Sequence, residues 1–434
     1  MNYDEAMSYI HKVGNFGSNY GLERTYKLLE LLGNPHKKGK FIHIAGTNGK
    51  GSTTAILVEL LKEKGYKVGM YTSPFLEEFE ERIQINGVNI PKSILAKLIT
   101  RIKAAVDKVI EKGYNHPTEF EIITCLMFLY FAEENIDYGV IEVGLGGRLD
   151  STNVITPILS IITSISFDHM NLLGNTLGEI AKEKAGIIKA GVPVVIYPQE
   201  EEALKSIKEK CLETKSKLIV TDISKGKFVN VVEEDNIYQL ININLADENI
   251  EVKLPLLGEH QINNLLVALE AYKEICSIEG IEFCYEDIKA ALKKVRWIGR
   301  LEVMNKNPLV VIDGAHNIQG ISKLKTNIEK YFKYNRLFLL LGILADKEVE
   351  KMVEVIVKDA YKVYALTPLS TRAENAAELK KVIDKYNDNC IAYESYDEAL
   401  KSALDEADEN DLILVSGSLY MIGDMRKKIR KLNL

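Results

Sequence analysis

Cysteine is sparse and unpatterned in this 434-residue chain. The five present (Cys125, Cys211, Cys276, Cys284, Cys390) are odd in number, scattered, and include no CxxC pair. That excludes a disulfide framework and a thiolate metal cage, and it suits a reducing compartment. Long apolar runs are missing as well: the longest, 122–132, falls far short of the ~20 residues that span a bilayer. The first residues, MNYDEAMSYIHKVG, lack the basic-then-apolar order of a secretory signal. Positive charge is not in excess, and a net charge of −7 argues against a nucleic-acid or membrane-surface partner. No repeat of 20–50-residue period and no low-complexity linker occurs. A cytoplasmic protein without nucleic-acid or membrane partners is expected. At 46% hydrophobic and 27% charged residues the composition is that of a globular chain, and its length favours two cores over one.

The stretch that organises the rest is FIHIAGTNGKGSTT, Phe41–Thr54. An apolar β-rich segment runs into a glycine-rich turn and then a helix predicted to reach Leu61. That order points backbone N–H groups and a helix dipole at one anion. Lys50 supplies a point charge, and Ser52 or Thr53 a hydroxyl suited to Mg²⁺. The fit to the P-loop pattern is partial: Ile44 stands where the first glycine belongs, and Gly51 follows the lysine. The reading is a nucleotide phosphate loop built from Thr47, Asn48, Gly49, Lys50, Gly51, Ser52 and Thr53.

Strand ends downstream supply further polar groups. KVGMYTSP (Lys67–Pro74) places Ser73 and Pro74 just past a strand, where ligands sit in parallel α/β sheets. YGVIEVGLGGRLDSTNV (Tyr138–Val154) ends a buried strand on Glu142, followed by a glycine turn carrying Asp150. A carboxylate at that position beside a phosphate loop suits Mg²⁺. Ile158–Met170 reads as a buried strand closing on Asp168 and His169, and Leu177–Gly191 as a helix bearing Lys184. From Val192 to Pro255 a strand, a charged helix and short alternating strands predict an antiparallel appendage. A helix over Leu257–Ile275 offers Gln261 and Asn264. After a boundary near Val295–Arg300, five strands alternate with helices, the pattern of a separate Rossmann-like α/β unit. The expected division is 1–295, an α/β domain with a mostly parallel sheet and a small antiparallel appendage, and 296–434.

In chain order, AGTNGKGS, YTSP, EVGLGGRLDSTN, FDHM, EKAG, GEHQ-NN, GRLE, DGAHN and GSLY resemble the folylpolyglutamate synthase and dihydrofolate synthase family of Mur-ligase-like amide ligases. One departure is Ser166 before the Phe-Asp pair, where many relatives have a small residue. The resemblance implies ATP and two Mg²⁺ ions, with Ser52, Ser73, Glu142, His169 and a carbamylated Lys184 as ligands. A carbamate requires a neutral lysine amine, which burial near cations supplies by lowering its pKa. The resemblance also implies nucleotide contacts from Gln261, Asn264, Arg300 and Asp313. Pro74, Asp150, His316 and Ser418 fall on the acceptor and amino-acid side, and Lys50, Lys184 and His316 are the implied catalytic groups.

Joining a carboxylate to an amine in water needs prior activation, here as an acyl phosphate formed from ATP, which the amine of L-glutamate then attacks. The acceptors implied are folate, its polyglutamates and dihydropteroate, and the enzyme is expected to be a monomer. Two other readings stand beside this one. Another Mur-type amino-acid ligase is disfavoured by the missing UDP-binding domain, and a non-catalytic nucleotide switch leaves Glu142, His169 and Lys184 without a purpose.

Overall fold

A computed structural model describes residues 1–14, 21–245, 248–370 and 372–432. The first sheet has the strands β1 (Lys40–Ala45), β2 (Val68–Tyr71), β3 (Ile83–Ile85), β4 (Val88–Asn89), β5 (Tyr138–Glu142), β6 (Leu159–Ile162), β7 (Val194–Ile196) and β8 (Leu218–Val220). Their order is β4-β3-β2-β5-β1-β6-β7-β8, parallel from β2 to β8 and antiparallel at the β3–β4 edge. Central strands covered on both faces read as continuous apolar runs, and β1 is buried from Phe41 through Ala45.

Alternation sends Ile42 and Ile44 to one face, where helices Lys50–Glu63 and Glu259–Glu279 pack. Phe41 points to the other face, towards helices Tyr3–Gly14, Lys92–Glu111 and Glu119–Glu133. The last of these is buried almost all round, which explains why it holds the longest apolar run. Its start is fixed by a capping box, Thr118 accepting from the Glu121 N–H and Glu121 from the Thr118 N–H, a reciprocal arrangement that satisfies two otherwise orphaned donors.

Strands β9 (Gly226–Glu233), β10 (Ile237–Leu245) and β11 (Glu248–Leu254) form the antiparallel appendage, in the order β11-β10-β9. Ile241, Ile243 and Val252 join the core beneath helix Glu259–Glu279, while Phe228, Val231 and Ile237 pack against the C-terminal core. The appendage therefore bridges the two halves.

The third sheet comprises β12 (Glu302–Lys306), β13 (Leu309–Asp313), β14 (Leu337–Leu341), β15 (Lys362–Leu366), β16 (Cys390–Tyr393) and β17 (Leu412–Ser416), ordered β12-β13-β17-β14-β15-β16. Five of these are the expected parallel strands. The sixth, β12, is an antiparallel edge strand absent from the sequence reading; its residues Glu-Val-Met-Asn-Lys are partly exposed and too polar to stand out. Helices cover both faces.

Two predicted spans are shorter than expected. The strand predicted over 158–170 ends at Ile162, so Asp168 and His169 lie on a loop, and His169 is the left-handed N-cap of the short helix Met170–Leu173. The helix carrying Lys184 spans Leu177–Ala185 and does not continue to Gly191. The first segment stays apolar in sequence although Phe167 and Met170 are exposed, and the second runs on into the buried Ile187 and Ile188; periodicity alone cannot separate either from a regular element.

Candidate active site

The turn after β1 is shaped by Gly46 and Gly49, which have φ of 151° and 90°. A Cβ at Gly46 would overlap the Thr163 hydroxyl, and one at Gly49 would overlap the Asn264 amide. Gly49 is the N-cap of helix Lys50–Glu63, so the backbone amides of the first turn face the cavity together with the positive end of the dipole. The Lys50 ammonium curls back over the loop, donating to the carbonyls of Gly46 and Thr47 at 3.2 Å each. The loop is anchored across the sheet as well, since the Thr47 and Asn48 N–H groups donate to the Ser164 carbonyl.

Beside the loop sits a buried acid–base group. Glu142 at the end of β5 is 3.8 Å from Lys50, and its Oε2 is buried without a hydrogen-bond partner. Burial raises its carboxyl to about 7, against the opposing pull of Lys50, the Ser73 amide and Arg300. Lys184 is 4% exposed and donates to the Gly46 carbonyl at 2.9 Å; burial, followed by the Lys50 charge, lowers its ammonium to about 7. Burial also lowers His169, helped by Lys347, Lys184 and Lys50 and opposed by Asp168. Ser73, Glu142, His169, Lys184 and Ser52 all line one cavity of about 800 Å³.

The other wall comes from the C-terminal half. Asp313 ends β13, and its carboxylate accepts the Leu301 and Ala315 N–H groups at 2.9 and 2.8 Å. Burial raises its pKa, with Arg300 acting against that. His316 is held by the Gly314 carbonyl at 2.8 Å and is pushed down to about 4 by burial, with Arg300 and Lys347 adding to the effect, so its ring is neutral at pH 7. Ser418, 1% exposed, has a hydroxyl without a partner. Arg300, Asp313, His316 and Ser418 line the same cavity as Lys50, Gln261, Asn264 and Pro74.

Among the expected groups, Thr53 faces inward, fully buried with an unpartnered hydroxyl, and does not line the cavity. Asp150 lines it, yet both its oxygens are engaged: Oδ2 accepts the Leu145 N–H, and Oδ1 the Thr152 N–H and hydroxyl. It therefore pins the glycine turn after β5. Gln261 and Asn264 hydrogen-bond to each other at 3.0 Å.

Several cavity residues escaped the sequence reading. Lys347 follows β14 and pairs with Asp168 across the cleft at 3.1 Å. Arg82, Lys323 and Arg372 add cations to the lining, and Gln319, outside it, accepts from the lining Asn48 side chain at 2.5 Å. Lys347 lies on the loop well past Leu341, the last residue of β14, and not at a strand end as Asp313 does, so its position gives no signal. Among the described residues no group of three or more His, Cys, Asp or Glu side chains is clustered for a metal. The donors around Glu142 are instead one carboxylate, one imidazole, serine hydroxyls and an amine.

Comparison with known proteins gives this site its context. The chain is 36% identical to the dihydrofolate synthase/folylpolyglutamate synthase of Bacillus subtilis over 439 residues, covering 99% of each. The chain belongs to that family. Residues 44–272 match the Mur ligase middle domain, and residues 299–419 the Mur ligase glutamate ligase domain. The apo structure of L. casei FPGS superposes with a TM-score of 0.87 at 33% identity, covering 99% of this chain and 100% of that one. An FPGS complex with AMPPCP and folate superposes with a TM-score of 0.83 at 32% identity and the same coverage. No described helix is long and apolar enough to cross a membrane.

Proposed function

We propose that the chain is an ATP-dependent ligase that joins the amine of L-glutamate to a carboxylate of tetrahydrofolate and its polyglutamates, through an acyl phosphate. One observation carries this reading. A phosphate loop with Lys50, a buried strand-end carboxylate and a neutralisable lysine face Arg300, Asp313, His316 and Ser418 across a single cavity. Family membership supplies the substrate class, and the Bacillus subtilis relative carries the dihydrofolate synthase name as well, so dihydropteroate belongs among the acceptors to test.

Phosphoryl transfer demands positioning and charge neutralisation more than covalent help. Lys50 and the first-turn amides bind the nucleotide phosphates, Gln261 and Asn264 border the nucleotide side, and Arg300 approaches from the opposite wall. The buried, unpartnered Oε2 of Glu142 fits a hard cation. Ser52 and Glu142 would hold one Mg²⁺, and Ser73, Glu142, His169 and carbamylated Lys184 a second. When bound, these ions offset charge on the transferred phosphoryl group. The lowered pKa of Lys184 supports the carbamate, because a neutral amine can add CO₂ with loss of a proton. His316, uncharged at pH 7, can accept a proton from the attacking glutamate amine, with Asp313 fixing the backbone before it. Ser418, Lys347 and Arg372 offer a hydroxyl and two cations to the carboxylates of glutamate. The two walls exclude water from the acyl phosphate when they meet.

We further place the domain boundary at 295/296. Since both walls come from one chain, a monomer completes the site, and five free cysteines suit the cytoplasm.

The test is phosphate release from ATP with Mg²⁺ and L-glutamate, comparing tetrahydrofolate and dihydropteroate, with products identified by mass. One glutamyl unit gained by tetrahydrofolate establishes the ligase, and gain by both acceptors makes it bifunctional. Phosphate release without any glutamyl product overturns the reading.

A further inference from the structure

Outside the cavity lining, three segments meet at one arginine. Arg426, midway along helix Leu419–Lys431, donates to Glu302 from Nε at 3.0 Å and from Nη2 at 2.6 Å, and to Glu77 from Nη1 at 2.5 Å. All three side chains are largely buried, at 13%, 21% and 10% exposure. A guanidinium holding two carboxylates in a buried, forked arrangement is geometrically specific in a way a surface pair is not.

Each partner leads to the cavity. Glu77 belongs to the loop that follows Ser73 and Pro74. That loop is stiffened from within, because Glu81 accepts the Leu76, Glu77 and Glu78 N–H groups. It is also clamped from outside, because Lys427 donates to the Glu77 carbonyl. Glu302 accepts the Gly299 N–H at 2.8 Å and so fixes the residue before Arg300. The packing is as tight as the polar contacts. A Cβ on Gly423 would overlap the Leu76 carbonyl, and one on Gly299, where φ is 71°, would press on both Ile422 and Leu76. The same helix begins at Leu419, next to Ser418 in the cavity wall.

We propose that Arg426 is a positioning residue: its guanidinium fixes the Ser73-bearing loop of one half to the Arg300-bearing segment of the other. Acceptor side and phosphate side are thereby set in register by a cation that touches neither substrate. The catalytic part of this inference rests on the ligase reading above; the structural part does not.

The test compares wild type with R426Q, R426K, E77Q and R426Q/E77Q in glutamyl addition to tetrahydrofolate, well below every variant's unfolding midpoint. K428Q serves as a control for charge, since Lys428 on the same helix pairs with exposed Asp397. R426Q is expected to lower kcat at least about tenfold, the scale of a small misplacement of reacting groups. E77Q should give a similar loss, and the double variant should be no worse than the poorer single, as for partners in one network. R426K should recover part of kcat while losing the fork, and K428Q should match wild type. Hydrogen exchange provides a readout independent of turnover: the Leu76–Glu78 and Gly299 amides should exchange faster in R426Q, with the phosphate-loop amides unchanged. Unaltered kinetics in R426Q, additive losses in the double variant, or unchanged protection of those amides overturns the proposal. If wild type adds no glutamate, the ligase reading fails, and amide protection still decides whether Arg426 ties the two segments.

Discussion

The ammonium of Lys184 donates to the carbonyl of Gly46 at 2.9 Å, so a helix remote in sequence holds the first residue of the phosphate loop. Burial lowers this lysine to about 7, below its ordinary value near 10.5. A lowered lysine contributes stability that is complete above the unfolded value and is lost as pH falls through 7. The variant K184M has no such charge to bury. Without added bicarbonate it should be more stable than wild type at pH 6 by roughly 1–4 kcal/mol, and the advantage should shrink as pH approaches 10. Denaturant midpoints across that range measure it. A wild-type protein more stable than K184M at pH 6 would contradict the burial argument. In turnover the order reverses: K184M should lose activity at least a hundredfold at every bicarbonate concentration.

Glu142 presents the complementary case. Burial raises it to about 7, so near neutrality its carboxyl is roughly half protonated. A divalent cation binds only the carboxylate, and binding must then release a proton. The apparent affinity for Mg²⁺–ATP should rise from pH 6 to pH 8, with proton uptake by the buffer visible in calorimetry in two buffers of different ionisation enthalpy. E142Q should weaken the pH dependence and reduce the proton release, with Lys184, which is also lowered to about 7, accounting for what remains. Equal heats in the two buffers would show that Glu142 is already ionised.

Close packing makes Gly147 sensitive. A Cβ there would lie 2.7 Å from the Glu183 carbonyl oxygen and 2.9 Å from that of Lys184, against backbone that cannot swing aside. G147A should cost about 1–3 kcal/mol, as overpacking does. It should also push the helix bearing Lys184 away from Gly46, so turnover at permissive temperature falls as well. A thermal melt paired with an activity assay separates the two effects.

The strands and helices around the phosphate loop were legible because buried parallel strands advertise themselves as apolar runs ended by glycine and polar residues. Glu142 and Ser73 are proposed for the site from their places at carboxyl strand ends, whereas Asp313 reads by itself as an N-cap and turn and enters through the family resemblance. Asp168 and His169 fall on a predicted strand because Ile165, Phe167 and Met170 prolong the apolar pattern in sequence, although Phe167 and Met170 stand exposed beyond the strand's end at Ile162. Strand β12 was missed because an edge strand pairs on one side only and its partly exposed residues need no apolar alternation. Arg426 and Lys347 were invisible for another reason. Their partners lie 124 and 179 residues away, and an ion pair at such separation leaves no local pattern.

Lys347 and Asp168 tie the walls of the cleft together at 3.1 Å. Burial alone would raise Asp168, but His169 and Lys347 outweigh it and its pKa is lowered. A lowered carboxyl contributes stability that is present above its unfolded value near 3.8 and disappears as pH falls through the folded one. Removing the lysine leaves a mostly buried carboxylate facing His169 and His316, whose rings are both held towards neutrality by burial. K347M should therefore destabilise the protein by about 1–2 kcal/mol at pH 7, with the difference from wild type fading below pH 4. Because the pair spans the cleft, kcat should fall more than ATP affinity, which the phosphate loop supplies on its own wall. Equilibrium unfolding at pH 7 and pH 3.5, together with nucleotide binding and turnover, tests each part. A stability difference that persists undiminished at pH 3.5 would mean that the methylene packing of Lys347, and not its charge, holds the walls together.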